Sequence, residues 1–141
     1  MHMDKIPKVN VSLLIIKGDS VLLGLLSDKW LYNGEQVYGS PGRDIYFQEK
    51  MGDAIKRNIV EEIGCEVTKY EIICVNANYD WGNHYIGIGA VVQISGEPKL
   101  LKPDDWVKWE WINLNAVPSN ILPELYYLLT CYKTKKVNVS E

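Results

Sequence analysis

PGRDIYFQEKMGDAIKRNIVEEIGC fills positions 41–65 and changes character along its length. Pro41-Gly42 is strong loop punctuation. From about Asp53 to Ile63 the pattern is helical: Ile55, Ile59 and Ile63 recur every four residues and make one apolar stripe. Gly64 follows directly, where a helix commonly ends in a left-handed residue. At about 100° per residue, Asn58, Glu61 and Glu62 share a face beside that stripe. Arg57 and Glu61 are four apart and can pair. The stripe anchors the helix to a sheet, and the polar face then borders the loop that ends at Pro41-Gly42. Adjacent carboxylates held beside a loop suit a hard divalent cation. Magnesium prefers oxygen ligands, keeps several waters and is usually shared with substrate phosphates. Taken alone, a Glu-Glu pair reads as a solvated helix face, since charge runs are usually surface; the surrounding spacing is what changes that reading.

The flanking sequence supplies the sheet. Val9 to Ile16 and Val21 to Leu26 read as strands joined by the turn Lys17-Gly18-Asp19-Ser20, which makes a hairpin. Ser27 to Ser40 is irregular and aromatic. Ile72 to Val75, Ile86 to Ile94 and Val107 to Ile112 read as further strands, with a turn at Ser95-Gly96-Glu97-Pro98. Trp109 and Trp111 alternate with Glu110, as in a strand with one buried face, and read as core. A last helix starts near Pro123, which a first turn tolerates, with Leu125, Leu128, Leu129 and Tyr132 as its apolar face. The tail from Lys133 is polar and reads as frayed. Strands outnumber helices, which indicates an α/β (α+β) sandwich built on a mixed β-sheet.

Composition narrows the partners. The chain has 141 residues, suiting one domain over 1–141. It is 47% hydrophobic and 23% charged, the balance of an ordinary globule rather than a disordered chain. The net charge of −3 gives no electrostatic reason to expect bulk nucleic acid. A small anionic ligand stays open, since a metal ion can reverse the local sign. The apolar runs fall short of the roughly 18–20 residues of a bilayer span, so no membrane partner is expected. Met1-His2-Met3-Asp4-Lys5 lacks a signal-peptide core. Cys65, Cys74 and Cys131 fit neither a zinc pattern nor a disulfide framework, and the simplest reading is a reduced, cytoplasmic protein.

The 41–65 segment resembles the Nudix box, G-x5-E-x7-R-E-U-x-E-E-x-G-U with U a bulky apolar residue, the signature of hydrolases that cleave nucleoside diphosphates linked to another group. Glu49 fills the first glutamate, Arg57 the arginine, Ile59 the apolar position, Glu61 and Glu62 the glutamate pair, and Gly64 the second glycine. Many fixed positions at fixed spacing make this far stronger than any one element. The opening hairpin and the closing Trp109-Glu110-Trp111-Ile112 strand extend the likeness over most of the chain. Asn78 to Ile88 with His84-Tyr85, followed by Gly96-Glu97-Pro98-Lys99, looks like the MutT-related branch of nucleoside triphosphate diphosphatases. The resemblance implies a Nudix-type mixed sheet packed between helices. It also implies Mg²⁺-dependent hydrolysis (Mn²⁺ serving as well) of a phosphoanhydride link in a small nucleotide, such as a nucleoside triphosphate going to monophosphate and pyrophosphate.

In that reading Glu61, Glu62, Arg57 and Glu49 form the catalytic set. Glu62 is the first metal ligand and Glu61 the second, with the Gly42 carbonyl and Asn58 beside them. Arg57 and Glu49 make a supporting ion pair. The base comes from Glu61, Asp104 or Asp105. Trp30, Tyr46, Tyr79, Trp81 and Tyr85 are candidates for stacking on a nucleobase. His84 reads as structural. Relatives are often dimers, which leaves a homodimer open. Arg43 stands where the first box glycine belongs, and it obstructs the turn if that position needs a positive φ. Asn58 replaces a glutamate that is a metal ligand or base in many relatives, and an amide cannot take a proton at neutral pH. Lys102 falls near a place where some relatives are acidic. These departures keep an alternative open: a catalytically weak or inactive nucleotide-binding or interaction module.

Overall fold

A computed structural model describes residues 5–134 and 138–140. In chain order the elements are β1 (Lys8–Lys17), β2 (Ser20–Leu26), β3 (Tyr38–Gly39), α1 (Met51–Ile63), β4 (Glu66–Asn78), β5 (Tyr85–Ser95), β6 (Trp106–Asn113), α2 (Pro123–Thr134) and β7 (Asn138–Ser140). The sheet runs β3-β2-β1-β5-β4-β7, and β6 pairs with β2. It is mixed: β1 is parallel to β5, from Lys8 opposite Tyr85 to Ile15 opposite Val92, while β4 and β5 are antiparallel. This is the expected α/β sandwich.

Alternation along β1 assigns the two helices to opposite faces. Val11, Leu13 and Ile15 point to the cluster that buries Ile55, Ile59 and Ile63 of α1. Leu14 points the other way, to Leu125, Leu128 and Leu129 of α2. Each isoleucine of the α1 stripe is fully buried, and burying one such side chain stabilises by about 2 kcal/mol. The stripe therefore fixes the rotation of α1, and with it the direction of its polar face.

Between β1 and β2 the sheet opens. The two strands are registered only at the hairpin end, Ile16 with Val21 and Lys17 with Ser20. Beyond it that edge of β2 pairs with β3, at Gly24 with Gly39 and Leu25 with Tyr38, while β6 runs along the other edge of β2 from Ser20 to Leu26. The edge of β1 left open by this split is taken by the loop before α1. Leu13 N–H donates to the Pro41 carbonyl at 2.9 Å and Val11 N–H to the Arg43 carbonyl at 2.8 Å, while Ile45 N–H returns a bond to Val9. The loop before α1 is thus zipped onto the central strand.

Several expectations shift at their edges. Helix α1 begins at Met51 rather than Asp53, because Lys50 is its N-cap without any side-chain cap bond and leaves no Ser, Thr or Asp signal. Gly64 does end it, at φ 69°, with its N–H bonded to the Val60 carbonyl. β4 is far longer than Ile72–Val75, since its first half is an exposed, polar strand interrupted by bulges. Trp109 and Trp111 are half-buried against the α1-side core rather than enclosed in it. The tail is not frayed throughout: 138–140 runs parallel to β4, with Cys74 opposite Asn138. The same expectation for 135–137 and 141, and the reading of Met1 to Asp4, lie outside the described residues. Among the described residues no helix is long and apolar enough to cross a membrane.

Candidate active site

The zipped loop meets α1 through Asn58. This side chain is buried; its Oδ1 accepts the Arg43 N–H at 2.8 Å, and its Nδ2 donates to the carbonyls of Ala54 at 2.8 Å and Asp44 at 3.2 Å. An ionised glutamate has no N–H to give those carbonyls. The amide therefore staples loop to helix, with both of its ends engaged inside the protein. Gly42 takes φ +128°, and a Cβ there would strike the Val11 carbonyl. The positive φ thus falls on Gly42, and Arg43 is not among the non-glycine residues with positive φ. An arginine at the box-glycine position consequently imposes no backbone strain.

On the outer side of α1, Arg57 gathers two acids as expected. Its Nε and Nη2 donate to the two oxygens of Glu49 at 2.8 and 3.0 Å, and its Nη1 donates to Glu61 at 3.1 Å. Nη2 also reaches the Asp44 carbonyl at 2.7 Å. The Arg57 guanidinium, with the Tyr46 N–H, holds the Glu49 carboxyl down to about 2. The Tyr46 ring lies 3.7 Å from the guanidinium.

On the inner side lies a second arginine cluster. Glu62 is only 1% exposed. Its Oε2 accepts from the Trp106 indole N–H at 3.1 Å, while Oε1 is buried with no hydrogen-bond partner and sits 3.4 Å from Arg43 Nε. The far side of the same guanidinium pairs with Asp105 at 3.0 Å and lies 5.7 Å from the Trp30 ring centre. Burial pushes the Asp105 carboxyl up. The Trp30 indole N–H and the charges of Arg43 and Lys29 outweigh that and leave it below the usual range.

Arg43 and Trp106 also line a cleft of about 230 Å³. Lys8 and Arg43 give it cations, and Trp30, Trp81 and Tyr85 give it aromatic walls. Trp30 and Trp81 meet edge to face at 5.7 Å. The cleft is also lined by Asn10, Ser12, Asp80 and Glu124. Ser12 Oγ is hydrogen-bonded to Glu124, and Asn10 Oδ1 is buried without a partner. Burial raises the Glu124 carboxyl, against the lowering effect of the Ser12 hydroxyl, and burial raises Asp80 likewise.

The sequence candidates thus fall into three groups. Trp30, Trp81, Tyr85 and Gly42 line the cleft, and Glu62 lies behind its wall. Glu49, Arg57 and Glu61 form the outer network. Tyr46 and Tyr79 stand off the cleft, 55% and 62% exposed, Tyr46 over Arg57 and Tyr79 stacked on His84 at 4.8 Å. Trp106, Ser12 and Glu124 were not singled out by sequence. Trp106 and Ser12 open or interrupt apolar strands, and Glu124 reads as an ordinary first-turn acid. The clue in the composition was five Trp against a single Phe, since Trp carries a polar tip that suits half-wet pockets.

Among the described residues, no three His, Cys, Asp or Glu side chains converge as a ready metal site. One protein oxygen nevertheless fits a cation: Glu62 Oε1, buried and without a hydrogen bond. The remaining ligands would have to come from the loop backbone at Gly42, from the exposed Glu61, from water and from substrate, as magnesium commonly arranges.

No family model matches the chain. Its architecture does match solved structures. The MutT Nudix hydrolase of Burkholderia pseudomallei has a TM-score of 0.78, covering 89% of this chain and 97% of that one at 23% identity. A Nudix hydrolase from Nitrosomonas europaea also gives 0.78, over 94% and 93%, at 17% identity. An ADP-ribose pyrophosphatase from Streptococcus suis gives 0.66, over 96% and 100%, at 16% identity. The chain has the fold of the Nudix hydrolases.

Proposed function

We propose that this chain hydrolyses the phosphoanhydride link of a small nucleoside diphosphate-linked substrate in the Arg43–Glu124 cleft, with Mg²⁺ or Mn²⁺ at Glu62. A nucleoside triphosphate, cleaved to monophosphate and pyrophosphate, is the favoured case. The observation that carries the reading is Glu62 Oε1, a carboxylate oxygen sealed from water and unbonded beside a cleft with cationic and aromatic walls. A bound ion would neutralise charge on the transferred phosphoryl group and lower the pKa of water. The protein's own groups orient the substrate. Lys8 and Arg43 face its phosphates, Trp30 and Tyr85 offer flat surfaces to its base, and the Arg57–Glu49 pair fixes the loop beside α1.

A second reading has its own support. Asn58, at a glutamate position of the box, is committed to the loop and offers no base. On that account the cleft binds a nucleotide with little turnover.

The deciding experiment is a product-identified hydrolysis screen over nucleoside triphosphates, ADP-ribose, dinucleoside polyphosphates and sugar nucleotides, with Mg²⁺ and Mn²⁺. Turnover by the parent, reduced on the order of 100-fold or more in Glu62→Gln, supports the hydrolase. No product alongside a nucleotide-dependent rise in Tm supports the binding module, since a ligand specific to the folded state must stabilise it. No product and no Tm response to metal or nucleotide rejects both.

A further inference from the structure

We propose that the Arg43 guanidinium is a built-in counter-cation for Glu62, and that a divalent ion reaches Glu62 only by displacing it. This rests on Glu62 being the ion's ligand, and adds what controls access to it.

Glu62 is a buried carboxylate whose Oε1 has no hydrogen bond, and the cation beside it is Arg43 Nε at 3.4 Å. A 3.4 Å approach neutralises charge without satisfying the oxygen, which leaves Oε1 open to a harder, smaller cation. A guanidinium and a divalent ion repel strongly at such separations, so the two positions are alternatives. The anatomy allows the exchange. The Arg43 backbone is pinned, its N–H to Asn58 and its carbonyl to Val11. Its side chain is 43% exposed and is drawn outward by Asp105 at 3.0 Å, while Glu62 at 1% exposure cannot follow it. A glycine at position 43 would bring no side chain and no competition.

The exchange also couples two ligands. A phosphate in the cleft that attracts Arg43 uncovers Glu62, so an anionic ligand and the ion assist each other. By linkage that assistance is mutual.

The test is metal binding, read without turnover. Metal-free protein is titrated with Mn²⁺ alone, and the free ion is followed by electron paramagnetic resonance. Arg43→Gly is expected to bind Mn²⁺ on the order of ten-fold more tightly than the parent, and Arg43→Lys to stay near the parent. In parallel melts, Arg43→Gly is expected to lose Tm without metal and to regain more on adding Mn²⁺ than the parent gains. If Arg43→Gly does not fold, Arg43→Gln removes the charge at similar length and carries the same expectation. Equal or weaker Mn²⁺ binding by the neutral variants, with binding still abolished by Glu62→Gln, overturns the counter-cation and spares the metal reading of Glu62. Binding indifferent to Glu62→Gln places the ion elsewhere and overturns both.

Discussion

Arg57 and Arg43 stand fourteen positions apart in one segment, and each gathers two carboxylates, yet the most buried acid of each differs: the Glu49 side chain is 14% exposed and the Glu62 side chain 1%. Arg57 draws on acids 8 and 4 positions away. Arg43 reaches Asp105, 62 positions on, and the sealed Glu62. Glu61, in the first cluster, has a side chain 43% exposed and can turn to water if its partner is lost. Glu62 cannot. The importance of a charge follows from what its partner would suffer alone. By that measure the arginine that departs from the motif is energetically heavier than the arginine that fits it.

The largest expected effect tests this directly. Without metal, Arg43→Ala should destabilise by about 3 kcal/mol in a urea melt, the low end for breaking a buried pair because the arginine side is open to water. Glu62→Gln should recover much of that loss when combined with Arg43→Ala, since the stranded charge is then gone. A smaller loss than that of Arg57→Ala would reverse the ranking. Next comes Trp106→Phe, which keeps the bulk and removes the indole N–H from Glu62 Oε2. A lost bond to a charged, buried oxygen should destabilise by about 2 kcal/mol in the same melt. No change would mean that Glu62 finds another donor.

This contrast also explains what could be seen in the sequence. Ile55, Ile59 and Ile63, the Gly64 cap and the Arg57–Glu61 pair are local: their geometry follows from helix period alone. The strands flanking the box were legible wherever they were apolar, and β4 was truncated where it turned polar. The inner cluster was not legible, because nothing at position 43 announces a partner at 105 or a neighbour at 62. Trp106 touches Glu62 across 44 positions, and Ser12 touches Glu124 across 112. Such pairs exist only once the fold has brought β6 to α1 and α2 to β1. Asn58 shows the same limit. From sequence it is a missing acid, whereas in the fold it is the donor that two backbone carbonyls require.

The outer cluster should give the milder responses. Arg57→Ala is expected to lower Tm by only a few degrees at neutral pH, because Glu61 can turn to water and Glu49, at 14% side-chain exposure, keeps the Tyr46 N–H and some access to solvent. The pH profile separates the two kinds of site further. Glu49 is depressed in the folded protein from the usual 4.5 to about 2, so its contribution is present above pH 4.5 and fades as pH falls toward 2. The Tm gap between the parent and Glu49→Gln should therefore close across that window. Glu124, raised by burial, carries the opposite sign: its contribution is complete below its usual 4.5 and is lost as pH rises through its folded value. Glu124→Gln should flatten that second slope and leave the first untouched. A Glu49 gap that persisted at pH 2 would show that its oxygens act through shape and hydrogen bonding rather than charge, and the outer cluster would then resemble the inner one after all.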